Sequence, residues 1–371
     1  MTAIPATKTE FDHLVHVRVL EGCDLRCDHC FIPANPKRMR AEDFALIPSR
    51  LARVIPKGAR VRLQWHGGEP TLLGSAFLSD AIDAIEGDDR GFVLSHGIQT
   101  NLMRWDDEWR KLFVERFDGE IGVSWDPGMR KSEALSPEET EGILLRNVEA
   151  AVAAGLRVHV TSTLSKPLLA AFPDPSRWFL ELGRMGVSGA HLESMTKTGA
   201  ARAAWERIGL DNAARAKALS RFLRAYALLR GNGSPIPFCS PFDGILSSAL
   251  ALADGKAKGT GCGSGCWSGG CDSRFHTIDA DGYRPGCTAI TAEDGNPRAG
   301  KTILRLLDIA EEREKRTISC LDCEFRPICS SGCLAGDMDD GSGECAGGRA
   351  LFETAKKIVG HWTKDGNGTT S

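Results

Sequence analysis

Residues 14–20, Leu-Val-His-Val-Arg-Val-Leu, alternate apolar and polar positions, the period of a half-buried strand. Comparable runs predict strands at 61–66, near 91–98, at 120–124, at 156–163 and at 188–193. Helical stretches are predicted between them. One covers about 41–55, and one runs from Asp107 to Phe117 behind the capping Asp106. Another opens at Ser136-Pro137-Glu138-Glu139, with Pro at its first turn and a Ser-x-x-Glu capping box, and ends at Gly155. A fourth is capped at Asp174-Pro175. Strand followed by helix, repeated about six times, predicts a parallel α/β sheet of barrel type. From about 200 to 253 the pattern turns helical and Ala-rich, and Asp254 to Gly270 is dense in glycine and small residues. A domain boundary is expected between 230 and 245, giving units of 1–235 and 236–371. Residues from Thr363 to Ser371 read as disordered.

The chain has 371 residues, enough for one barrel-sized domain and a smaller one. Its net charge of −3 provides no field towards nucleic acid or a membrane surface. Met1 to Phe11 contains no apolar segment of signal-peptide type, and no apolar run approaches a membrane span, so a cytoplasmic location is expected. In a reducing compartment thirteen cysteines point to metal rather than to disulfides. Three lie at 23–30, one at 239, and nine between 262 and 345.

The chemistry gathers at the predicted C-terminal ends of the strands, the face that carries active sites in parallel α/β barrels. Cys23, Cys27 and Cys30 form a Cys-x3-Cys-x2-Cys triad behind the first strand. Three thiolates on one loop can hold a cubane iron–sulfur cluster and leave one iron open to a small molecule. Three unrelated thiols or part of a zinc site are the plainer alternatives. Gly67-Gly68-Glu69-Pro70 ends the second strand; it could be an ordinary turn, or a place where backbone comes close to a ligand and a carboxylate meets an ammonium. Ser124 and Asp126 end the fourth strand, and Arg146 lies on the helix behind. His66, Gln99 and Asn101 are either packed residues or groups facing a substrate.

The triad with Phe31 behind it resembles the signature of radical SAM enzymes, and Gly67 to Pro70 resembles their methionyl-binding segment. Further on, Cys320-x2-Cys323-x5-Cys329-x3-Cys333 with Cys345 resembles the SPASM domain of peptide-modifying radical SAM enzymes. Cys271, ten residues, Gly282, four residues and Cys287 fit the upstream half of that pattern. The resemblance covers about 14–350 and implies a partial (β/α)6 TIM-like barrel followed by a small iron–sulfur domain. It implies three [4Fe–4S] clusters and S-adenosyl-L-methionine. The first cluster would use the triad, and the ligand would lie against Gly67, Gly68, Glu69, Pro70, Ser124, Asp126 and Arg146. By the same resemblance one auxiliary cluster takes Cys266, Cys271, Cys287 and Cys333, and the other takes Cys320, Cys323, Cys329 and Cys345. Cys262 could replace Cys266, Cys239 reads as a plain buried thiol, and a zinc ribbon is the alternative for the whole block.

The implied activity is reductive cleavage of S-adenosylmethionine to a 5′-deoxyadenosyl radical, which takes hydrogen from a peptide side chain. The product would be a cross-link or an oxidised residue in a ribosomally made peptide. The implied partners are that peptide and an electron donor such as flavodoxin or ferredoxin. Because the first strand begins near residue 14, no leader-binding domain is expected before it, and recognition would use the barrel mouth, the SPASM domain or a separate leader-binding protein. Sulfatase maturation to formylglycine is the runner-up, and the segments Ile98 to Asn101 and Phe242 to Gly244 resemble those maturases. Against it stands Thr288, where those enzymes keep a catalytic Asp; without it, Asp272 or Glu193 would have to be the base. A radical SAM enzyme acting on a small molecule, and a non-catalytic iron–sulfur or zinc protein, stay open.

Overall fold

In the computed structural model the described residues are 11–32, 37–257, 259, 261–262, 265–271, 273–290 and 306–365. Seven parallel strands follow the chain: β1 (His13–Leu20), β2 (Arg60–Gly67), β3 (Val93–Thr100), β4 (Glu120–Ser124), β5 (Arg157–Leu164), β6 (Gly189–Ser194) and β7 (Phe238–Ser240). A hairpin of β8 (Phe275–Asp279) and β9 (Gly282–Pro285) extends the sheet past β1, with β8 parallel to β1 and β9 antiparallel to β8. The order across the sheet is β7-β6-β5-β4-β3-β2-β1-β8-β9.

Strand alternation sorts the chemistry. Val15, Val17, Val19, Val61, Leu63, Trp65, Ile121 and Val123 are buried in the core. Their neighbours in sequence, His16, Arg62, Gln64, His66, Glu120, Gly122 and Ser124, line a cavity on the other face. Register fixes the two sets, since Val15 lies opposite Leu63 and Val17 opposite Trp65, and a one-residue slip would exchange them.

The six expected strands are present within one or two residues of their expected ends. Two helical expectations are corrected. The stretch at 41–55 is two short helices, Ala41–Ala45 and Ile47–Leu51, because Pro48 has no N–H to continue the first and starts the second. The stretch at 200–253 is three helices, Ala201–Ile208, Asn212–Gly231 and Phe242–Ala253, with β7 between the last two. The C-terminal helix Arg349–Asp365 packs on helices 212–231 and 242–253. Phe325, Ile328, Leu351 and Phe352 join the same core as the barrel strands. A small separate core of Cys271, Ile290, Ile309, Leu334 and Ala335 lies beside Cys287 and Cys333. Among the described residues no helix is long and apolar enough to cross a membrane.

Candidate functional site

The triad loop is held by its neighbours from several sides. Arg26 N–H donates to Lys131 O (2.7 Å) and Asp28 N–H to Met129 O (3.1 Å), which ties it to the segment after β4. Ala200 N–H donates to Cys30 O (2.9 Å). Gly68 N–H donates to Leu20 O (2.6 Å) and Glu69 N–H to Gly22 O (3.0 Å). A Cβ on Gly67 would lie 2.1 Å from Leu20 O, and one on Gly68 2.0 Å from Gly22 O. Both glycines are therefore required for the Gly-Gly-Glu-Pro loop to lie against the triad loop. Pro70 is buried and starts the 3₁₀ turn Pro70–Leu73.

Burial pushes the Cys23 thiol up to about 12 and the Cys27 thiol up to about 11, and raises that of Cys30. Cys27 Sγ accepts from Arg130 Nη1 at 3.8 Å, and Cys23 Sγ accepts from Leu25 N–H at 3.4 Å. Three thiols on one loop, with a half-buried guanidinium beside them, fit an anionic iron–sulfur cluster that would hold them as thiolates.

Glu69 is 1% exposed. Its Oε1 accepts from Thr71 N–H (3.0 Å), Thr71 Oγ1 (2.7 Å) and Thr100 Oγ1 (2.8 Å), and its Oε2 from Asn101 N–H (2.6 Å). Burial raises its pKa and these donors draw it back. The carboxylate braces the ends of β2 and β3 while still lining the cavity. Ser124 also lines the cavity, its Oγ accepting from Gln99 Nε2 (2.7 Å). Asp126 is buried; Oδ2 accepts from Arg130 Nε (2.9 Å) and Nη2 (2.5 Å), and Oδ1 from Thr163 N–H (2.6 Å). His29 Nε2 lies 3.4 Å from it. Burial acts to raise the Asp126 pKa, and Arg130 and His29 pull it well below the usual carboxylate range. Asp126 thus holds Arg130 in place.

Arg146 departs from its expected place. It is exposed on helix Pro137–Ala153 and is not among the cavity-lining residues. The cation on the cavity wall beside the triad is Arg130, which the sequence did not single out; Arg62 lines the same cavity from β2. Only the fold of the loop after Trp125 turns it inward, so periodicity carried no signal for it.

The cysteines beyond 260 gather in two groups. The thiols of Cys266 and Cys333 share a hydrogen bond, those of Cys271 and Cys287 share another, and the two pairs are neighbours. The bond to Cys266 holds Cys333 below the usual thiol range, while Cys266 is held well above it by that bond and by burial. Cys320 has Cys345 and Cys323 as neighbours, and Cys329 has Cys345, Cys262 and Cys320. A Cβ on Gly347 would lie 2.8 Å from Cys329 Sγ and 3.7 Å from Cys345 Sγ, so any side chain there would displace the Cys329 thiol. Cys266, Cys271, Cys287 and Cys333 thus lie near one another, and Cys262 lies near Cys329 together with Cys320 and Cys345. No three His, Cys, Asp or Glu side chains converge closely enough among the described residues for one bare ion. The fit to a larger cluster rests on the thiol groupings. Cys239 is fully buried, with its N–H on Tyr226 OH (3.2 Å) and Asp243 Oδ2 (2.9 Å).

One cavity of about 570 Å³ joins these parts. Its walls carry Cys23, Cys27 and Cys30 as well as Cys266, Cys271, Cys287 and Cys333. Thr288 and Glu193 line it too, and Glu193 Oε2 lies 2.9 Å from His191 Nε2. Asp272 falls outside the described residues.

Residues 17–166 match the radical SAM superfamily, so the chain carries a radical SAM domain, a type that uses a [4Fe–4S] cluster and S-adenosylmethionine. The chain is 30% identical over 141 residues to the serine-type anaerobic sulfatase-maturating enzyme of Klebsiella pneumoniae, 36% of this chain and 34% of that one. The match thus spans about a third of that relative's length. Among solved structures, anSMEcpe with bound AdoMet and Cp18Cys peptide aligns with a TM-score of 0.67 at 16% identity, over 95% of this chain and 97% of that one. Streptococcus suis SuiB bound to precursor peptide SuiA aligns with a TM-score of 0.53 at 14% identity, over 88% and 72%. These alignments establish the α/β fold over most of the chain.

Proposed function

We propose that the protein is a radical SAM enzyme of SPASM type that modifies a peptide side chain. The carrying observation is the shared cavity, which has the triad on one wall and the Cys266 quartet on another. A side chain bound there would lie between a site that starts a radical reaction and a site that can take up the electron left behind. When bound, the triad cluster and S-adenosylmethionine supply the hydrogen-abstracting radical. The chain's own residues do the positioning. Gly67 and Gly68 bring the ligand-binding loop against the triad, Glu69 fixes that loop to β3, and Arg130 places positive charge beside Cys27. Residues 236–371 would form the auxiliary domain, with the second cluster on Cys320, Cys323, Cys329 and Cys345.

The finer reading is a maturase of ribosomally made peptides, forming a cross-link or oxidising a residue. Thr288 supports it, because it lines the cavity directly behind Cys287 and its hydroxyl is no base near neutral pH. The sulfatase-maturating relative supports formylglycine synthesis instead, and Glu193, hydrogen-bonded to His191 on the same wall, is then the base. Mass spectrometry separates the two. The maturase reading expects almost no aldehyde on a sulfatase-type Cys or Ser peptide, and expects Thr288→Asp not to improve processing of the enzyme's own precursor. Efficient aldehyde formation by the unmodified enzyme would reverse the order. A peptide substrate and an external one-electron donor are the partners this chemistry requires.

A further inference from the structure

Helix Asn212–Gly231 belongs to the barrel half of the chain, yet its first turn is set into the loop between Cys333 and Cys345. Asn212 is 3% exposed, and its side-chain amide donates to Asp337 O and Glu344 O, both at 3.2 Å. Its N–H donates to Asp340 Oδ2 (2.7 Å), and Ala213 N–H to Ser342 Oγ (3.1 Å). These bonds fix the helix start against the cysteine loop. One turn further on, Arg215 Nη2 donates to Ala346 O (2.8 Å), the residue after Cys345. The guanidinium is then within electrostatic reach of Cys333 and Cys266 of one quartet and of Cys345 of the other, with Asp340 also in range. Arg316, on helix Leu306–Ser319, differs. It is paired with Glu312 (2.9 Å) and otherwise donates to the carbonyls of Ser331, Cys333, Leu334 and Gly336. Its charge is offset and its work is to hold the loop.

We propose that Arg215 sets the redox poise of the auxiliary sites, its permanent positive charge stabilising the reduced cluster in each quartet and raising both potentials. The inference rests on the two-auxiliary-cluster reading above. Each reduction adds one electron from an external donor and breaks no bond, so the cation acts only through its field. That field is strong where water is excluded, and arginine cannot lose its proton to weaken it. Cluster potentials respond to nearby charge in this way.

The test uses the full chain with Cys23, Cys27 and Cys30 changed to Ala, so that the auxiliary sites carry the only clusters. Their midpoints are read by anaerobic redox titration with electron paramagnetic resonance. Arg215→Gln should lower the midpoint of the Cys266 quartet by at least a tenfold change in its reduction constant, which is about 59 mV for one electron. Arg215→Lys keeps the charge and should hold the parent value. Asp340→Asn removes a negative charge and should move the midpoint up by a smaller amount. Unchanged midpoints in Arg215→Gln with full iron and sulfide would overturn the proposal, and so would Arg215→Lys falling as far as Arg215→Gln. Should Arg215→Gln lose iron, the sign of the Asp340→Asn shift decides, and a downward or absent shift overturns it. A parent chain without iron in either quartet overturns the functional reading as well.

Discussion

Replacing Glu69 by Gln tests whether its carboxylate is a brace of the cavity mouth. Four protein donors converge on it, two of them backbone N–H groups whose direction is fixed, those of Thr71 and Asn101. The threonine hydroxyls can rotate to suit an amide, but these N–H groups cannot. If the amide nitrogen takes the place of Oε2, it faces Asn101 N–H; if it takes the place of Oε1, it faces Thr71 N–H. Either way one buried N–H loses its acceptor, at a cost of about 1–3 kcal/mol. That converts to roughly 5- to 150-fold faster local opening. Hydrogen exchange read by mass spectrometry across 67–73 and 98–103, on cluster-loaded protein before any S-adenosylmethionine is added, reports it directly. Protection should fall in one or both segments while the outer helices exchange as before. Unchanged exchange combined with a large loss of ligand affinity would refute the reasoning and leave Glu69 acting on the ligand alone.

Two further predictions follow from side chains whose neighbours are fixed. His96 is buried, accepts from Trp65 Nε1 (3.0 Å) through Nδ1, and is pushed down to about 4 by burial, with Arg116 and Arg62 adding to the shift. A lowered histidine binds fewer protons folded than unfolded. Its stabilisation is therefore complete above the ordinary value of 6.5 and is lost as pH falls towards 4, on the order of 3 kcal/mol in total. Denaturant midpoints at pH 7 and pH 4.5 should converge for wild type and His96→Gln at the acid end, and a gap that stays constant with pH would contradict this. Arg130→Gln, beside Cys27, should weaken S-adenosylmethionine binding by about tenfold or more. Arg146→Gln should leave it unchanged, and titration giving the opposite ranking would restore Arg146 to the ligand site.

What the sequence made legible follows the range of each signal. The strand positions were readable because period-two alternation is local, and the triad because its three ligands lie within eight residues on one loop. Strand β7 was not, because Phe238–Ser240 is too short to show a period and lies between two Ala-rich helices. The break at 41–55 was signalled by Pro48, which the amphipathic pattern around it obscured. The two cysteine groups came from resemblance to a family pattern, since nothing in the spacing brings Cys266 to Cys333 across more than sixty residues. Arg130 and Arg146 show the limit most plainly. Both follow the fourth strand, and only the tertiary path after Trp125 decides that Arg130 turns inward and Arg146 outward. Glu69 was found by its motif, but the four donors that hold it come from residues as far away as Asn101.

The central claim is three iron–sulfur clusters, one of them on the triad. Anaerobically prepared protein should hold about 12 iron and 12 sulfide per chain, and the Cys23, Cys27 and Cys30 to Ala variant about 8 of each, with no 5′-deoxyadenosine formed from S-adenosylmethionine under reducing conditions. Stoichiometric zinc without iron, or a triad variant that still makes 5′-deoxyadenosine, would contradict the account.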